Sequence, residues 1–221
     1  MANSAIIVAA GEGRRFGEAK QFYLFRKRAL FLYALDAFEV NKNINTIIIV
    51  VPKERIVDIK VLIKKNNYKK VQAIVVGGKR RQDSVLNGLK AIRNSSGIVV
   101  IHDGVRPVVS QTIIEKGITL CRKYKAVICG IPIFETVKKI NRGVVLQTVL
   151  RRNLYLIQTP QFFKHSLIEN AYRRANLAIE YTDEAALLES LGIPVRCFLG
   201  DRYNIKITKK SDLKVLNCIL P

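Results

Sequence analysis

Near its N-terminus the chain carries Ala5-Ile6-Ile7-Val8-Ala9-Ala10-Gly11-Glu12-Gly13-Arg14-Arg15-Phe16, and Lys20-Gln21 follow closely. The uninterrupted β-branched residues Ile6 to Val8 predict a strand that is covered on both faces of a sheet. Gly11 and Gly13 let the backbone turn tightly and bring N–H groups close to an anion, while Arg15 and Lys20 supply positive charge beside them. The segment therefore predicts a buried strand that ends in a cradle for a triphosphate.

Two better known glycine loops do not match this segment. The dinucleotide fingerprint G-x-G-x-x-G requires a third glycine, but Phe16 stands at that position and Gly17 comes one residue later. The pattern G-x-x-x-x-G-K-[ST] is also absent, because Arg80 follows Gly78-Lys79. A hydride-transfer enzyme and a Walker-type enzyme are therefore disfavoured, and an ordinary strand with a solvated basic loop is the structural alternative.

Apolar runs alternate with helical patterns along the chain as far as Ile131. This alternation predicts βαβ units, and hence an α/β fold with a mostly parallel sheet and helices on both faces. Ligands of such sheets bind beyond the carboxyl ends of the strands, where the loops after Ala10, Val76 and Ile101 fall. The predicted strands after the first are 46–51, 71–76, 98–101 and 126–131, and the predicted helices are 29–38, 55–65, 84–92 and 111–123.

Residues 132–158 break this alternation. Apolar residues surround the turn Asn141-Arg142-Gly143, which predicts a hairpin that projects from the sheet. A lone hairpin cannot bury its apolar faces, so we expect a second subunit to cover them. The chain, 1–221, is then one domain with 132–158 as a β-arm excursion. The segments after the arm predict helices at 165–175, 183–191 and 210–218 and short strands at 195–199 and 205–207.

The composition is that of a globular protein with a strongly basic surface. Lys and Arg number 38 against 17 Asp and Glu, a formal net charge of +21. The cations are spread along the chain without an arginine-rich tail, so the charge favours attraction of small phosphorylated substrates over a specific nucleic-acid interface. No apolar run reaches the roughly 18 residues that cross a bilayer, and we expect a soluble, cytoplasmic protein with no membrane partner.

Four cysteines and two histidines are scattered along the chain, with no C-x-x-C pair. The spacing predicts neither a metal held by protein ligands nor a disulfide framework. Buried, reduced thiols in a reducing compartment are expected instead.

Two further loops follow predicted strands. In residues 77–84, Gly77 and Gly78 permit close backbone approach to a flat ligand, Ser84 either caps the next helix or hydrogen-bonds a base edge, and Asp83 pairs with Arg81. In residues 102–107, Arg106 is placed to meet a phosphate and Asp103 a hydroxyl or a hydrated metal, unless the two form an ordinary internal salt bridge. His102 has no metal-spaced partner, so we expect it to be structural.

Six sequence blocks occur in order along the chain. They are Ala9-Ala10-Gly11-x-Gly13-x-Arg15 with Lys20-Gln21, Arg81-x-Asp83-Ser84-Val85, His102-Asp103-x-x-Arg106-Pro107, Thr159-Pro160-Gln161-Phe162-Phe163, Thr182-Asp183-Glu184-Ala185 and Asn204-Ile205-Lys206-Ile207-Thr208. Together they resemble one enzyme family across essentially the whole chain, the 2-C-methyl-D-erythritol 4-phosphate cytidylyltransferases of the non-mevalonate isoprenoid pathway. Six ordered blocks are far more specific than any one loop. The resemblance implies a Rossmann-like sheet with a dimerising β-arm, and hence a homodimer.

The resemblance also implies a role for each matching position. The residues that would stabilise the transition state are Arg15 and Lys20. Those that would bind CTP are Ala10, Gly11, Gly13, Gly78 and Ser84. Those that would grip the sugar phosphate are Asp103, Arg106, Thr159, Thr182 and Lys206, with Lys206 also counted as catalytic. The neighbouring subunit would supply Thr136 and the catalytic Arg151. Arg15 and Lys20 lie five residues apart where the family more often has seven, and Ala19 replaces the usual proline.

The implied reaction is attack by the phosphate of 2-C-methyl-D-erythritol 4-phosphate on the α-phosphorus of CTP, which carries Mg²⁺ as its cofactor. A phosphate monoester is already anionic at neutral pH, so the reaction needs cations and positioning more than a general base. The alternatives are a ribitol 5-phosphate cytidylyltransferase and, from a different class, a basic nucleic-acid-binding protein.

Overall fold

A seven-stranded sheet lies at the centre of the protein in the computed structural model, which describes residues 2–13, 15–94 and 96–220. In chain order the strands are β1 (Ser4–Val8), β2 (Leu24–Phe25), β3 (Arg28–Ala29), β4 (Thr46–Val51), β5 (Val71–Val76), β6 (Ile98–Asp103), β7 (Ala126–Pro132), β8 (Val137–Asn141), β9 (Val144–Val149), β10 (Tyr155–Lys164) and β11 (Arg196–Leu199). The helices are α1 (Leu30–Val40), α2 (Ile56–Lys65), α3 (Arg81–Lys90), α4 (Gln111–Tyr124), α5 (His165–Arg174), α6 (Glu184–Glu189) and α7 (Asp212–Ile219), and short 3₁₀ helices span Lys20–Phe22 and Lys53–Arg55.

The central sheet has the strand order β11-β7-β10-β6-β1-β4-β5. Strand β1 pairs in parallel with β4 and with β6, so that Val8 lies opposite both Val50 and Asp103. Strand β10 runs antiparallel to β6 and β7, while the other pairings in the sheet are parallel. The predicted mostly parallel α/β sheet is confirmed. Its parallel strands bring the carboxyl ends of β1, β5 and β6 to one edge.

Each face of the sheet is covered by its own set of helices. Side chains alternate along a strand, so Ile7 belongs to the cluster that packs against α1, α2 and α4, whereas Ile6 belongs to the cluster of α3, α5 and α6. Phe38 and Phe162 are fully buried in the first cluster, and Phe163 is fully buried in the second. Both faces of β1 are therefore buried, as its uninterrupted apolar sequence predicts.

Several segments differ from the prediction, and the short strands β2 and β3 were not predicted at all. Helix α3 begins at Arg81 rather than Ser84, because the Asp83 carboxylate accepts the backbone N–H of Arg80 at 3.1 Å and supports an earlier start. Residues 205–207 form no strand; the N–H of Ile207 instead donates to the carbonyl of Val105 at 2.9 Å. Strand β10 was not predicted, because the polar residues and proline at 158–161 interrupt its apolar pattern, and its pairing with β7 is irregular there.

The predicted hairpin is present as β8 and β9, which pair antiparallel around a turn in which Gly143 has a φ of +81°. Strand β10 begins at Tyr155, so the last four residues of the predicted excursion belong to the central sheet. Most of the hairpin is exposed. Its exposed apolar residues, with those that flank it, are Phe134, Ile140, Val144, Val145, Leu146, Leu150, Tyr155 and Leu156.

Among the described residues, none of the helices combines the length and the apolar character that crossing a membrane requires.

Candidate active site

A cleft of about 500 Å³ opens at the carboxyl ends of β1, β5 and β6. It lies at the place where ligands bind in parallel α/β sheets. The loop after β1, the loop between β5 and α3, the end of β6 and a segment before α7 all contribute to its wall. The lining residues are Val8, Ala9, Ala10, Gly11, Glu12, Gly13, Arg15, Lys20, Gln21, Gly78, Lys79, Arg80, Arg81, Ser84, Asp103, Val105 and Lys206.

The loop after β1 is held in a tight turn by its own contacts. Gly13 has a φ of +72°, and a Cβ atom there would lie 1.7 Å from the carbonyl oxygen of Glu18, so only glycine fits. The buried Gln21 donates from Nε2 to the carbonyl of Gly11 at 2.8 Å. Phe16 is buried against α7 residues, including Leu216. The residue that departs from the dinucleotide fingerprint therefore anchors the loop in a small apolar cluster.

The loop between β5 and α3 approaches the cleft through Gly78. A Cβ atom at this glycine would lie 2.3 Å from the Cβ of Asp83. Ser84 Oγ accepts the backbone N–H of Gly78 at 3.0 Å and donates to the carbonyl of Arg80 at 3.2 Å. Ser84 is therefore not the cap of α3, because it lies within the first turn and holds the glycine loop instead.

The predicted pair of Asp83 with Arg81 is wrong. Asp83 pairs with Arg80, whose Nη2 lies 2.7 Å from Oδ1. Arg81 faces the other way, toward Asp103 and Glu184. The reversal follows from the helix start, since Arg80 immediately precedes α3 and its backbone N–H also donates to Asp83.

Positive charge dominates the cleft wall. Lys20 and Arg15 both line it, although they are only five residues apart in sequence. Burial lowers the pKa of Lys20 below its usual value, and the nearby cations Lys206 and Arg15 lower it further. The shortened spacing thus still brings the two predicted phosphate ligands together with Lys206. Six cations line the cleft, Arg15, Lys20, Lys79, Arg80, Arg81 and Lys206, against the carboxylates of Glu12 and Asp103.

Asp103 is the electrostatic centre of the inner wall. Lys206 Nζ lies 2.7 Å from its Oδ2, Arg81 Nε lies 3.2 Å from its Oδ1, and Arg106 Nε lies 4.0 Å from Oδ2. Burial by itself raises the pKa of Asp103, but Arg81, Lys206 and Arg106 outweigh it and hold that pKa far below its usual range. Asp103 is therefore a permanent carboxylate that holds one oxygen toward Lys206.

Arg106 lies behind the cleft rather than in its wall. It is buried, and its Nη1 donates to the carbonyl of Asn204 at 2.7 Å, while its Nη2 donates to that of Ile157 at 3.4 Å. Its 4.0 Å separation from Asp103 makes the pair a loose salt bridge. In this structure the guanidinium braces the 204–206 segment, which carries Lys206 into the cleft.

His102 and Thr159 form a hydrogen-bond chain beneath Asp103. The backbone N–H of Asp103 donates to Thr159 Oγ1 at 3.0 Å, and Thr159 donates to His102 Nδ1 at 3.3 Å. His102 Nε2 donates to the carbonyl of Arg106 at 3.0 Å. Complete burial lowers the pKa of His102 to about 4, so the ring is neutral at physiological pH. These contacts agree with the structural role predicted for His102.

Besides Arg106 and Thr159, which lie behind the cleft wall, three predicted site residues do not line the cleft of their own chain. Thr182 is exposed on the segment before α6. Thr136 and Arg151 lie at the base of the hairpin, where Arg151 Nη1 donates to the carbonyl of Phe134. None of the three lines the cleft.

Sequence reasoning missed three residues that shape the site: Gln21, Arg81 and Glu184. All three stand inside the six sequence blocks, but nothing in the sequence shows that Gln21 points back to Gly11. Glu184 is a buried acid that directly precedes the apolar run 185–188 of α6. A charged residue in an apolar helical pattern was the available signal, because buried carboxylates require a partner.

In the described residues, no group of three or more His, Cys, Asp or Glu side chains is placed to hold a metal ion. The two cleft carboxylates, Glu12 and Asp103, are the only acidic side chains among the residues that line the cleft.

Comparisons with known proteins agree over nearly the whole length of the chain. The family model described as 2-C-methyl-D-erythritol 4-phosphate cytidylyltransferase matches residues 3–221. The chain is 40% identical, over 221 residues, to the protein of that name from Clostridioides difficile (strain 630), with 98% of this chain and 93% of the relative covered.

Solved structures show the same likeness in three dimensions. The 4-diphosphocytidyl-2C-methyl-D-erythritol synthase of Anaerococcus prevotii DSM 20548 superposes with a TM-score of 0.85 at 36% identity, covering 99% of this chain and 96% of that one. The 2-C-methyl-D-erythritol 4-phosphate cytidylyltransferase of Francisella tularensis gives a TM-score of 0.83 at 31% identity, with both chains covered in full (100%).

Proposed function

The chain belongs to the 2-C-methyl-D-erythritol 4-phosphate cytidylyltransferase family, and we propose that the cleft at the carboxyl ends of β1, β5 and β6 is where it carries out the family's reaction. The enzyme transfers the cytidylyl group of CTP to 2-C-methyl-D-erythritol 4-phosphate. The products are 4-diphosphocytidyl-2-C-methyl-D-erythritol and pyrophosphate, in the non-mevalonate route to isoprenoid precursors. The observation that carries the assignment is a glycine-lined cleft with six cations in its wall.

The chemistry explains why the cleft holds cations and no histidine base. A phosphate oxygen of the sugar phosphate forms a bond to the α-phosphorus of CTP as the bond to the bridging oxygen of pyrophosphate breaks, so negative charge grows on the leaving group. Arg15 and Lys20, which line the cleft together, are placed to neutralise that charge. His102 takes no part as a base, because both its ring nitrogens are engaged in hydrogen bonds within the core.

The two glycine loops form the CTP half of the cleft. Ala10, Gly11 and Gly13 present backbone at the end of β1, and Gly78 does so at the end of β5. Ser84 contributes by fixing the N–H of Gly78, as its 3.0 Å hydrogen bond shows. Backbone groups held in place discriminate bases by shape and by hydrogen-bond pattern, since a wrong base leaves a buried polar group unpaired.

The sugar-phosphate half is built around Asp103 and Lys206. Asp103 is ionised and can accept a hydrogen bond from a substrate hydroxyl, while Lys206 can meet the phosphate once it leaves its 2.7 Å contact with Asp103. Thr159 supports Asp103 from below, and Arg106 braces the segment that carries Lys206. Thr182 lies on an exposed segment and would contact substrate only from the rim.

The residues present fit a Mg²⁺ ion that arrives with CTP rather than one held in a protein cage. Asp103 already carries close contacts from Lys206 and Arg81, so it offers few free electron pairs to a metal. Mg²⁺ is commonly held by substrate phosphates with one or two carboxylates and several waters, and Glu12 is the other carboxylate in the wall. When bound, the ion supplies charge neutralisation on the triphosphate.

The hairpin supports a homodimer with shared active sites. Its apolar residues are exposed, and Thr136 and Arg151 stand at its base, outside the cleft of their own chain. A partner subunit would cover the apolar surface and would receive these two side chains at its sugar-phosphate site, while its own hairpin returned the same contacts under two-fold symmetry.

A turnover assay tests the proposal. Pyrophosphate release should require CTP together with 2-C-methyl-D-erythritol 4-phosphate, and ribitol 5-phosphate should be turned over far more slowly. Preference for ribitol 5-phosphate would overturn the substrate assignment while leaving the cytidylyl transfer in place. No pyrophosphate with either sugar phosphate would overturn the assignment of the cleft.

A further inference from the structure

An ion-pair network beside the cleft joins the ends of three elements. Arg81 is the first residue of α3, Asp103 is the last residue of β6, and Glu184 is the first residue of α6. Arg81 Nη1 donates to both Glu184 carboxylate oxygens, at 2.9 and 2.8 Å, and Arg81 Nε donates to Asp103 Oδ1 at 3.2 Å. One guanidinium therefore bridges two carboxylates that belong to different elements.

Glu184 is too deeply buried to be an incidental surface charge. Its residue exposure is 1%, and removing a carboxylate from water is costly unless the charge is paired and hydrogen-bonded. Arg81 provides the charge, and the hydroxyl of Tyr172 donates to Glu184 Oε1 at 3.2 Å. None of the roles assigned above uses this carboxylate.

The backbone that carries Glu184 is fixed independently. Asp183 Oδ1 accepts the N–H of Ala186 at 2.9 Å and so caps α6, and Asp183 Oδ2 accepts Gln161 Nε2 at 2.7 Å. Gln161 belongs to β10, next to β6 in the sheet. The position of Glu184 is thus fixed, so its carboxylate can hold the Arg81 guanidinium in place.

The network divides the two oxygens of Asp103 between two cations. Oδ1 receives Arg81 and Oδ2 receives Lys206, at 3.2 and 2.7 Å. Arg81 is shared with Glu184, so its charge does not draw Asp103 away from Lys206. Without the Glu184 charge, the whole charge of Arg81 would compete for Asp103, and the guanidinium would lose the partner that orients it.

We propose that Glu184 is a positioning residue that acts through Arg81 to orient Asp103 and, with it, the sugar-phosphate half of the cleft. This rests on the proposed function, which places the sugar phosphate at Asp103 and Lys206. Because Glu184 acts only through Arg81 and Asp103, it affects the binding of the sugar phosphate. The glycine loops that receive CTP stay unchanged.

The test compares Glu184→Gln with Glu189→Gln, a matched change at the exposed last residue of the same helix. Glutamine keeps the shape of the glutamate side chain but lacks its negative charge. In Glu184→Gln the KM for 2-C-methyl-D-erythritol 4-phosphate should rise about tenfold, the cost of weakening one charged hydrogen bond, while the KM for CTP stays within about twofold. Glu189→Gln should match the wild type in both.

Tyr172→Phe supplies a second variant, because it removes the hydroxyl that lies 3.2 Å from Glu184 Oε1 and 3.3 Å from the carbonyl oxygen of Gln82. It should raise the sugar-phosphate KM about threefold, again without moving the KM for CTP. If Glu184→Gln does not fold, the two KM values of Tyr172→Phe test the inference instead. An unchanged sugar-phosphate KM in the folded variants, or an equal rise in both KM values, overturns the inference. A wild-type enzyme that fails to turn over either sugar phosphate overturns the proposed function instead, which keeps the two failures distinct.

Discussion

The cleft and the hairpin differ in whether contacts within a single chain are enough to organise them. In the cleft, Asp103 is only 5% exposed and lies within 4.0 Å of three cations of its own chain. In the hairpin Ile140 is 58% exposed, and Leu150, which directly follows β9, is 85% exposed. The cleft is organised by contacts that exist before substrate binds, whereas the hairpin presents apolar surface that only another molecule can cover.

This difference separates two kinds of functional residue. Side chains such as Lys20 have their electrostatic environment set within their own chain. Removing one should therefore lower turnover without changing stability. Arg151 has its catalytic environment, on the proposed assignment, in the partner. Its removal should therefore be repairable by a subunit that still carries it.

The largest effect is expected in the cleft. Lys20→Ala and Arg15→Ala should each lower turnover roughly 10²-fold or more, because each removes a cation that meets charge developing in the transition state. The melting temperature should barely move, since cleft charges seldom carry stability. Lys60→Ala on the exposed side of α2 is the matched control and should match the wild type in both measurements. Near-normal turnover in both cleft variants would remove the basis for this cradle.

The loss of activity in an Arg151→Ala variant should be repaired by subunit exchange. Arg151→Ala dimers should be inactive yet still dimeric, and Lys206→Ala dimers should also be inactive. A mixed dimer holds one site with both lesions and one site with neither, so it should recover about half of the wild-type activity. Exchange is verified by native mass spectrometry. No recovery in verified mixed dimers, or full activity of a monomer, would show that the hairpin does not complete a neighbouring site.

A smaller effect should separate the two halves of the cleft. Ser84→Ala removes the hydroxyl that accepts the Gly78 N–H, so the KM for CTP should rise about tenfold or less while the KM for the sugar phosphate stays constant. Steady-state kinetics with each substrate varied in turn measures this. A rise confined to the sugar-phosphate KM would place the base-binding loop elsewhere.

The subtlest expectation concerns pH. The pKa of Lys20 is lowered, mainly by burial and then by Lys206 and Arg15, so Lys20 is charged below that pKa and loses its charge as the pH rises through it. Turnover should therefore fall on the alkaline side earlier than an ordinary lysine would predict. In Lys20→Arg the alkaline fall should move to higher pH, because arginine stays protonated. A pH profile of kcat that is identical in the two enzymes would contradict a role for the Lys20 charge.

Local sequence was enough for most of the sheet and for the position of the cleft. The strands at 46–51 and 71–76 end where predicted, because uninterrupted β-branched runs bounded by turn residues leave little choice. Strand β10 escaped prediction, since its polar middle resembles a loop until its neighbours supply the pairing. The segment at 205–207 was predicted as a strand but forms none, because its apolar residues pack in a small cluster without joining a sheet.

Local sequence patterns specify an α/β protein with glycine-bearing basic loops at the ends of buried strands, because periodicity, glycine and charge act over a few neighbouring residues. Which charged side chains face one another follows only from the folded arrangement of the elements. Arg81 pairs with Glu184, 103 residues away, rather than with its near neighbour Asp83, and Arg106 turns into the core instead of the cleft. Pairing of buried charges depends on where distant elements end in space, which no local pattern encodes.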